Sequence, residues 1–290
     1  MSESVSLPSS VESLPPDVLS DASGPLSDAD CCCSDDDDVS LPGNVSDHEE
    51  ADLVPHVVPS PDMARGLSLT RHDVAEFYSP PRVLLRAQAE GLTGCLSLDL
   101  KTGWDFRCAS SRSLSLDLLS RLPVTLCILS PPCTVFSQWQ RICVLRTSQA
   151  AWQAKWEEGM LYLCHAMECA RRQTREGRFF VFEHPATATS WEQTVVKDIA
   201  SLPGVQTVTC DLCMLGLQAK VSKLPMRKPT KIMTNSSDMA RRFVASGRCD
   251  KSHSHQAIEG AEGGVRRSVW AQVYPEAMID LLVAGAASLE

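Results

Sequence analysis

Two apolar runs, VTLCILS at residues 124–130 and FFVFE at 179–183, stand on either side of a long amphipathic stretch, QAAWQAKWEEGMLYLCHAMECARRQTREG (149–177). A short apolar run bounded by turn residues reads as a buried strand. Apolar residues recurring by threes and fours read as a helix, here closed by Gly177. Trp152, Trp156, Met160, Cys164 and Met167 form its stripe, which is the pattern of a core-facing helix. Strand, covering helix, strand is the repeating unit of a parallel sheet, and it constrains this chain more than any other feature.

The same alternation continues in both directions. Strands are expected at 74–78, 94–100, 205–212 and 230–235, and helices at 81–91, 110–122, 190–202 and 274–289. The expectation is an α/β domain over 67–290, a Rossmann-like, mostly parallel sheet with helices on both faces. Residues 1–66 differ in kind. They hold 15 acidic residues against the single Arg65, with no lysine and no aromatic residue. Such a segment buries too little apolar surface to offset its chain entropy, so a disordered acidic tail is expected there. It carries about −14 of a chain whose net charge is −9, which leaves about +5 on the rest. That balance is compatible with a polyanionic partner without requiring one. No uninterrupted apolar stretch is long enough to span a membrane, and no secretory signal is present. The 13 cysteines, an odd number, read as free thiols in a reducing, intracellular compartment.

In open α/β sheets ligands bind at the carboxyl ends of the strands. Here those ends carry chemistry. The strand at 74–78 runs into Ser79-Pro80-Pro81-Arg82, the strand at 94–98 reaches Asp99, and the segment after it reaches Asp105. The strand at 124–130 meets Pro131-Pro132-Cys133, and the strand at 179–182 ends at Glu183. A lone cysteine after a strand is usually core. A cysteine and a glutamate at the ends of successive strands suggest a nucleophile with a polar partner.

SPPCTVFS (130–137) resembles the Pro-Cys motif of the DNA cytosine-5 methyltransferases, and FEHP (182–185) resembles their Glu-Asn-Val motif. The likeness continues through CDLCMLGLQ, PMRKPTKIMTN and AQVYPEAMIDLLVAG, and covers roughly residues 73–289. The SLDLKTGWDF, KPTKIMTN and YP blocks also resemble the divergent copies carried by retrotransposons of algae and other protists. The resemblance implies S-adenosylmethionine as cofactor, with Tyr78, Ser79, Asp99, Asp105 and Pro131 around it. It implies Cys133 as the nucleophile, Glu183 as the residue that hydrogen-bonds cytosine, and Ser137, Arg227, Lys228 and Lys231 as contacts to nucleic acid. DNA is the expected substrate, with RNA as the alternative, and nuclear residence would follow from DNA. The chain departs from the family at three places. Its first loop, EFYSPPRV, has two prolines and no glycine. Thr134 stands for the motif's Gln, and His184-Pro185 for Asn-Val. The forty residues between 235 and the last helix are too few for a large target-recognition domain. A degenerate methyltransferase fold that binds nucleic acid or protein without catalysis therefore stands as the alternative. A zinc-dependent nucleic-acid hydrolase or deaminase is the weaker third reading, because the chain lacks the His-x-Glu and Pro-Cys-x-x-Cys arrangement that deaminases use: Cys133 is followed by Thr134-Val135-Phe136.

A second constellation lies outside this scheme. Cys210 and Cys213 form a C-x₂-C pair, and CDKSHSH adds Cys249, His253 and His255. These residue types can build a tetrahedral zinc site, although the spacing fits no strict finger pattern. Two buried thiols beside a polar histidine loop account for the same residues.

Overall fold

Six strands pair into one sheet in the computed structural model, which describes residues 72–94, 96–138 and 148–289. The expected acidic tail (1–66) lies outside the described residues. The strands are β1 (His72–Phe77), β2 (Leu96–Leu98), β3 (Val124–Leu129), β4 (Phe179–Pro185), β5 (Gln206–Asp211) and β6 (Pro229–Thr234), in the spatial order β2-β1-β3-β4-β6-β5. β2, β1, β3 and β4 are mutually parallel, and β6 runs antiparallel to both β4 and β5. The expected α/β fold with a mostly parallel sheet is therefore present.

The reversal of β6 has a local cause. A parallel return needs a crossover, usually a helix. The residues between β5 and β6 instead form a 3₁₀ turn (Leu212–Leu215), a left-handed Gly216 and a bridge between Gln218 and Pro225. The chain comes back alongside itself.

The helices are α1 (Arg82–Ala89), α2 (Ala109–Arg121), α3 (Gln149–Arg175), α4 (Thr194–Ala200), α5 (Ser237–Ser246), the single turn α6 (Arg267–Trp270) and α7 (Glu276–Ala287). A short hairpin, β7 (Ala261–Glu262) with β8 (Val265–Arg266), precedes α6. Strand alternation divides the core in two. Phe77, Cys127, Leu129, Phe180 and Phe182 pack with Leu118, Leu163, Ala166 and Ile199 of α2, α3 and α4. Val74, Leu126, Ile128, Val181 and Ile232 pack with Val83, Phe243, Met278 and Leu282 of α1, α5 and α7. No helix among the described residues is long and apolar enough to cross a membrane.

β2 and α5 differ from expectation, as do β7, β8 and α6, where no element was expected. β2 is three residues long because Asp99 caps a 3₁₀ turn at Leu100–Thr102, its Oδ1 accepting the Lys101 N–H at 2.9 Å. The helix α5 was not anticipated. Ser236 caps it, accepting the Met239 N–H at 3.2 Å, and Met239, Ala240 and Phe243 bury its inner face.

Candidate active site

The chain leaves β1 toward β2 on one side and returns to β3 on the other, so the loops after β1 and β3 diverge. A crevice outside the carboxyl ends at such a switch point is where sheets of this kind bind ligands. After β3 the Ser130 N–H reaches Phe77 O at 3.4 Å, and Pro131 and Pro132 then offer no donors to continue the ladder. Cys133 follows as the cap of a 3₁₀ turn (Thr134–Phe136), which buried Phe136 anchors against Trp156 and His184. The cysteine is half-buried. Gly159 of α3 lets the helix come this close: a Cβ there would lie 2.3 Å from Val135 Cγ2.

Burial pushes the Cys133 thiol above its ordinary pKa, the Lys228 ammonium pulls it down, and Glu183 pushes it up. Glu183, near the end of β4, is 6% exposed. Its Oε1 lies 3.6 Å from Lys228 Nζ and has no hydrogen-bond partner among the described residues. Lys228, just before β6, also donates to Ala271 O at 3.2 Å. Buried Tyr274 completes this side, its hydroxyl hydrogen-bonded to Ser130 Oγ. Burial first, and the Glu183 charge second, hold that phenol well above its usual range.

His184 clamps the two strand ends together. Its Nε2 is 2.9 Å from Pro131 O, which can only accept, so Nε2 carries the proton. Nδ1 therefore accepts from Ser190 Oγ at 2.7 Å. Burial lowers the imidazole pKa to about 4, which keeps the ring neutral. Where the resembled motif has an asparagine, this chain has a buried strand-to-loop tie.

The loop after β1 is built differently from a glycine-rich one. Tyr78 takes a left-handed backbone, with φ 61°, in the place where a glycine would bend without strain. Its ring packs on Phe106, and its hydroxyl meets His165 Nδ1 at 2.5 Å and donates to Tyr162 O at 3.1 Å. The Tyr78 side chain is thus held inside the protein. Ser79 is nearly buried; its hydroxyl donates to Pro80 O and its carbonyl accepts from Ser97 Oγ. Below the loop, Glu76 is fully buried with Oε2 accepting the Leu84 N–H at the start of α1. Burial pushes its carboxyl up to about 7, and its Oε1 has no partner among the described residues.

The other expected residues fall in varied places. Asp99 stands at the end of β2. Asp105 is engaged by Arg107 through both oxygens, which holds its carboxyl below the usual range. Pro131 is buried with its carbonyl bonded to His184. The backbone of Ser137 closes the turn that begins at Cys133. Of the three basic residues, only Lys228 reaches Glu183. Arg227 pairs with Asp211 at 3.3 Å, and the Lys231 ammonium lies over the Trp191 ring, 4.9 Å from its centroid. A shallow groove lined by Arg112, Leu116, Trp156 and Met160 lies between α2 and α3, on the opposite face of the sheet from Lys228 and Tyr274. Of the expected metal ligands, Cys213, Cys249, His253 and His255 bring one ligand atom each to within 4.8 Å of one another. Cys210 does not join them; it points from β5 into the core beside Leu212 and Ile232.

Sequence reasoning did not find the roles of His184, Tyr274, Ser130 or Glu76. Ser130 and Tyr274 each precede a proline at the end or start of an element, the one local signal that both carry. No protein-family model matches the chain, and a search of curated proteins returns no match.

Proposed function

We propose that the chain is a cytosine-5 methyltransferase of Rossmann-like fold that acts on DNA, with Cys133 as nucleophile. The observation that carries this reading is the pairing at the ends of two adjacent parallel strands. A half-buried cysteine lies within the electrostatic reach of a buried glutamate, one oxygen of which faces Lys228 Nζ at 3.6 Å and has no hydrogen bond among the described residues. An unpaired buried acceptor is costly unless a donor arrives, and the exocyclic amine of a flipped cytosine is such a donor, joined by N3–H once the ring is protonated in the adduct.

Cys133 adds as thiolate to carbon 6, forming the S–C6 bond as the C5=C6 π bond opens and its electron pair makes carbon 5 nucleophilic. After carbon 5 is methylated, loss of its proton to a base re-forms the double bond and expels the thiolate. Glu183 hydrogen-bonds the ring edge and stabilises the adduct. Lys228 favours the thiolate and balances Glu183 while the site is vacant of substrate. The residues around the switch point fit S-adenosylmethionine. Tyr78 provides the left-handed bend and Ser79 and Asp99 stand at neighbouring strand ends, while Pro80 and Pro81 bring no N–H donor and Pro80 O already accepts from Ser79 Oγ and the Arg82 N–H. When bound, it supplies the electrophilic methyl group. Pro80 and Pro81 also favour the second reading, a catalytically silent nucleic-acid-binding form.

The test is covalent trapping. The full chain is incubated with S-adenosylmethionine and DNA containing 5-fluorocytosine, whose fluorine cannot leave as a proton does. An adduct at Cys133, absent in Cys133→Ser, is expected. Binding of the cofactor by calorimetry with no adduct on DNA or RNA would redirect the assignment to another methyl acceptor. Folded protein that binds no cofactor would leave the silent form.

A further inference from the structure

Beyond the active site, the geometry points to a structural zinc site formed by Cys213, Cys249, His253 and His255. This inference does not depend on the methyltransferase reading. The four residues come from two segments, the 3₁₀ turn after β5 and the loop after α5. Both thiols are 8% exposed and unoxidised. His253 Nε2 and His255 Nε2 approach Cys249 Sγ at 3.7 and 3.4 Å. A tetrahedral zinc with ordinary Zn–S and Zn–N bonds sets its sulfur and nitrogen ligands about 3.5 Å apart. The two sulfur–nitrogen distances at Cys249 already match the edges of such a tetrahedron, and all four ligand atoms lie within 4.8 Å of one another.

The surrounding backbone is shaped for a thiolate. Lys251 takes a left-handed φ of 65° and donates its N–H to Cys249 Sγ at 3.3 Å. A non-glycine residue held in that region signals a constraint. The cluster is also tied to its supports as metal ligands usually are. Asp211, fully buried at the end of β5, accepts the Cys249 N–H at 2.9 Å and the Arg248 and Arg227 guanidiniums at 2.7 and 3.3 Å. Next to it the Leu212 N–H donates to Lys228 O at 3.0 Å. A metal here locks the 249–255 loop onto β5 and, one step further, fixes the backbone of Lys228.

The test uses the full chain purified without chelator. Elemental analysis is expected to give one zinc per chain. Cobalt(II) added to metal-free protein is expected to give the intense ligand-field bands of a tetrahedral site and a thiolate-to-cobalt charge-transfer band. Cys213→Ser and His255→Ala each lower zinc affinity by more than about 100-fold, since even outer-shell changes cost 10–100-fold. Cys108→Ser, at an exposed cysteine, leaves zinc content unchanged. Should a ligand variant fail to fold, the wild-type cobalt spectrum still decides. Folded wild-type protein with neither zinc nor tetrahedral cobalt bands overturns the proposal, and so does a Cys213–Cys249 disulfide found by mass spectrometry of the unreduced chain.

Discussion

Replacing Lys228 by methionine tests whether the candidate site holds a buried ion pair. Lys228 Nζ and Glu183 Oε1 are 3.6 Å apart, with side chains 15% and 7% exposed. At an effective dielectric near 20 their attraction is about 4–5 kcal/mol, part of which offsets the desolvation of both groups. Lys228→Met leaves a buried carboxylate with no cation and with one oxygen already lacking a hydrogen bond. The expected cost is about 3–5 kcal/mol. Glu183→Gln is milder, about 1–3 kcal/mol, because the ammonium keeps Ala271 O as partner. The double variant removes both charges, so it should be more stable than Lys228→Met alone, by about 2 kcal/mol. Urea unfolding of the four proteins at pH 7.5 gives the cycle directly. Additive single effects, or a Lys228→Met variant within about 0.5 kcal/mol of wild type, would refute the buried pair and with it the stated source of thiolate stabilisation at Cys133.

Glu76→Gln should change the pH dependence of stability. The fold prefers the protonated carboxyl, so its contribution is full below about pH 4.5 and is lost as pH rises through about 7, roughly 3 kcal/mol in all. Urea midpoints from pH 5 to 8 should lose that downward slope in the variant, and an unchanged slope assigns it elsewhere. His165 and His184, both lowered to about 4 by burial, act in the opposite sense: their contribution is present above about pH 6.5 and lost as pH falls through about 4. Gly159→Ala gains about 1 kcal/mol in helix propensity but meets Val135, so a net loss of about 1–2 kcal/mol and slower trapping at Cys133 are expected. A more stable variant with unaltered trapping contradicts that contact. Because burial raises the Cys133 thiol, trapping should accelerate as pH increases above neutrality, and a flat profile between pH 7 and 9 argues against a titrating thiol.

The sheet was legible because its strands are uninterrupted apolar runs and its helices are amphipathic with clear stops. VTLCILS and FFVFE could be little else, and both are neighbouring central strands. The weaker elements were hidden for physical reasons. In α5 the adjacent Arg241 and Arg242 blur a face defined by Met239, Ala240 and Phe243 alone. β2 was overextended because Leu100, though apolar, is 63% exposed. Cys133 and Glu183 could be read as strand-end chemistry from local patterns. The choice of Lys228 over Arg227 and Lys231 as the partner of Glu183 could not, because it depends on how the chain enters and runs along the reversed strand β6. Cys210 and Cys213 illustrate the same limit. The three-residue spacing pairs them on paper, but a strand ends between them, so one enters the core and the other the histidine loop.

The hydrogen bond between Ser130 and Tyr274 joins residues 144 positions apart, and α7, immediately after Tyr274, lies against α1 and α5. During synthesis the Cys133 turn therefore leaves the ribosome long before its last neighbour exists. At about 5–20 residues per second that interval is on the order of ten seconds. The Ser130–Tyr274 bond forms only when the helix after Tyr274 docks, so under the proposed function a nascent chain carries Cys133 before the neighbours that would direct it.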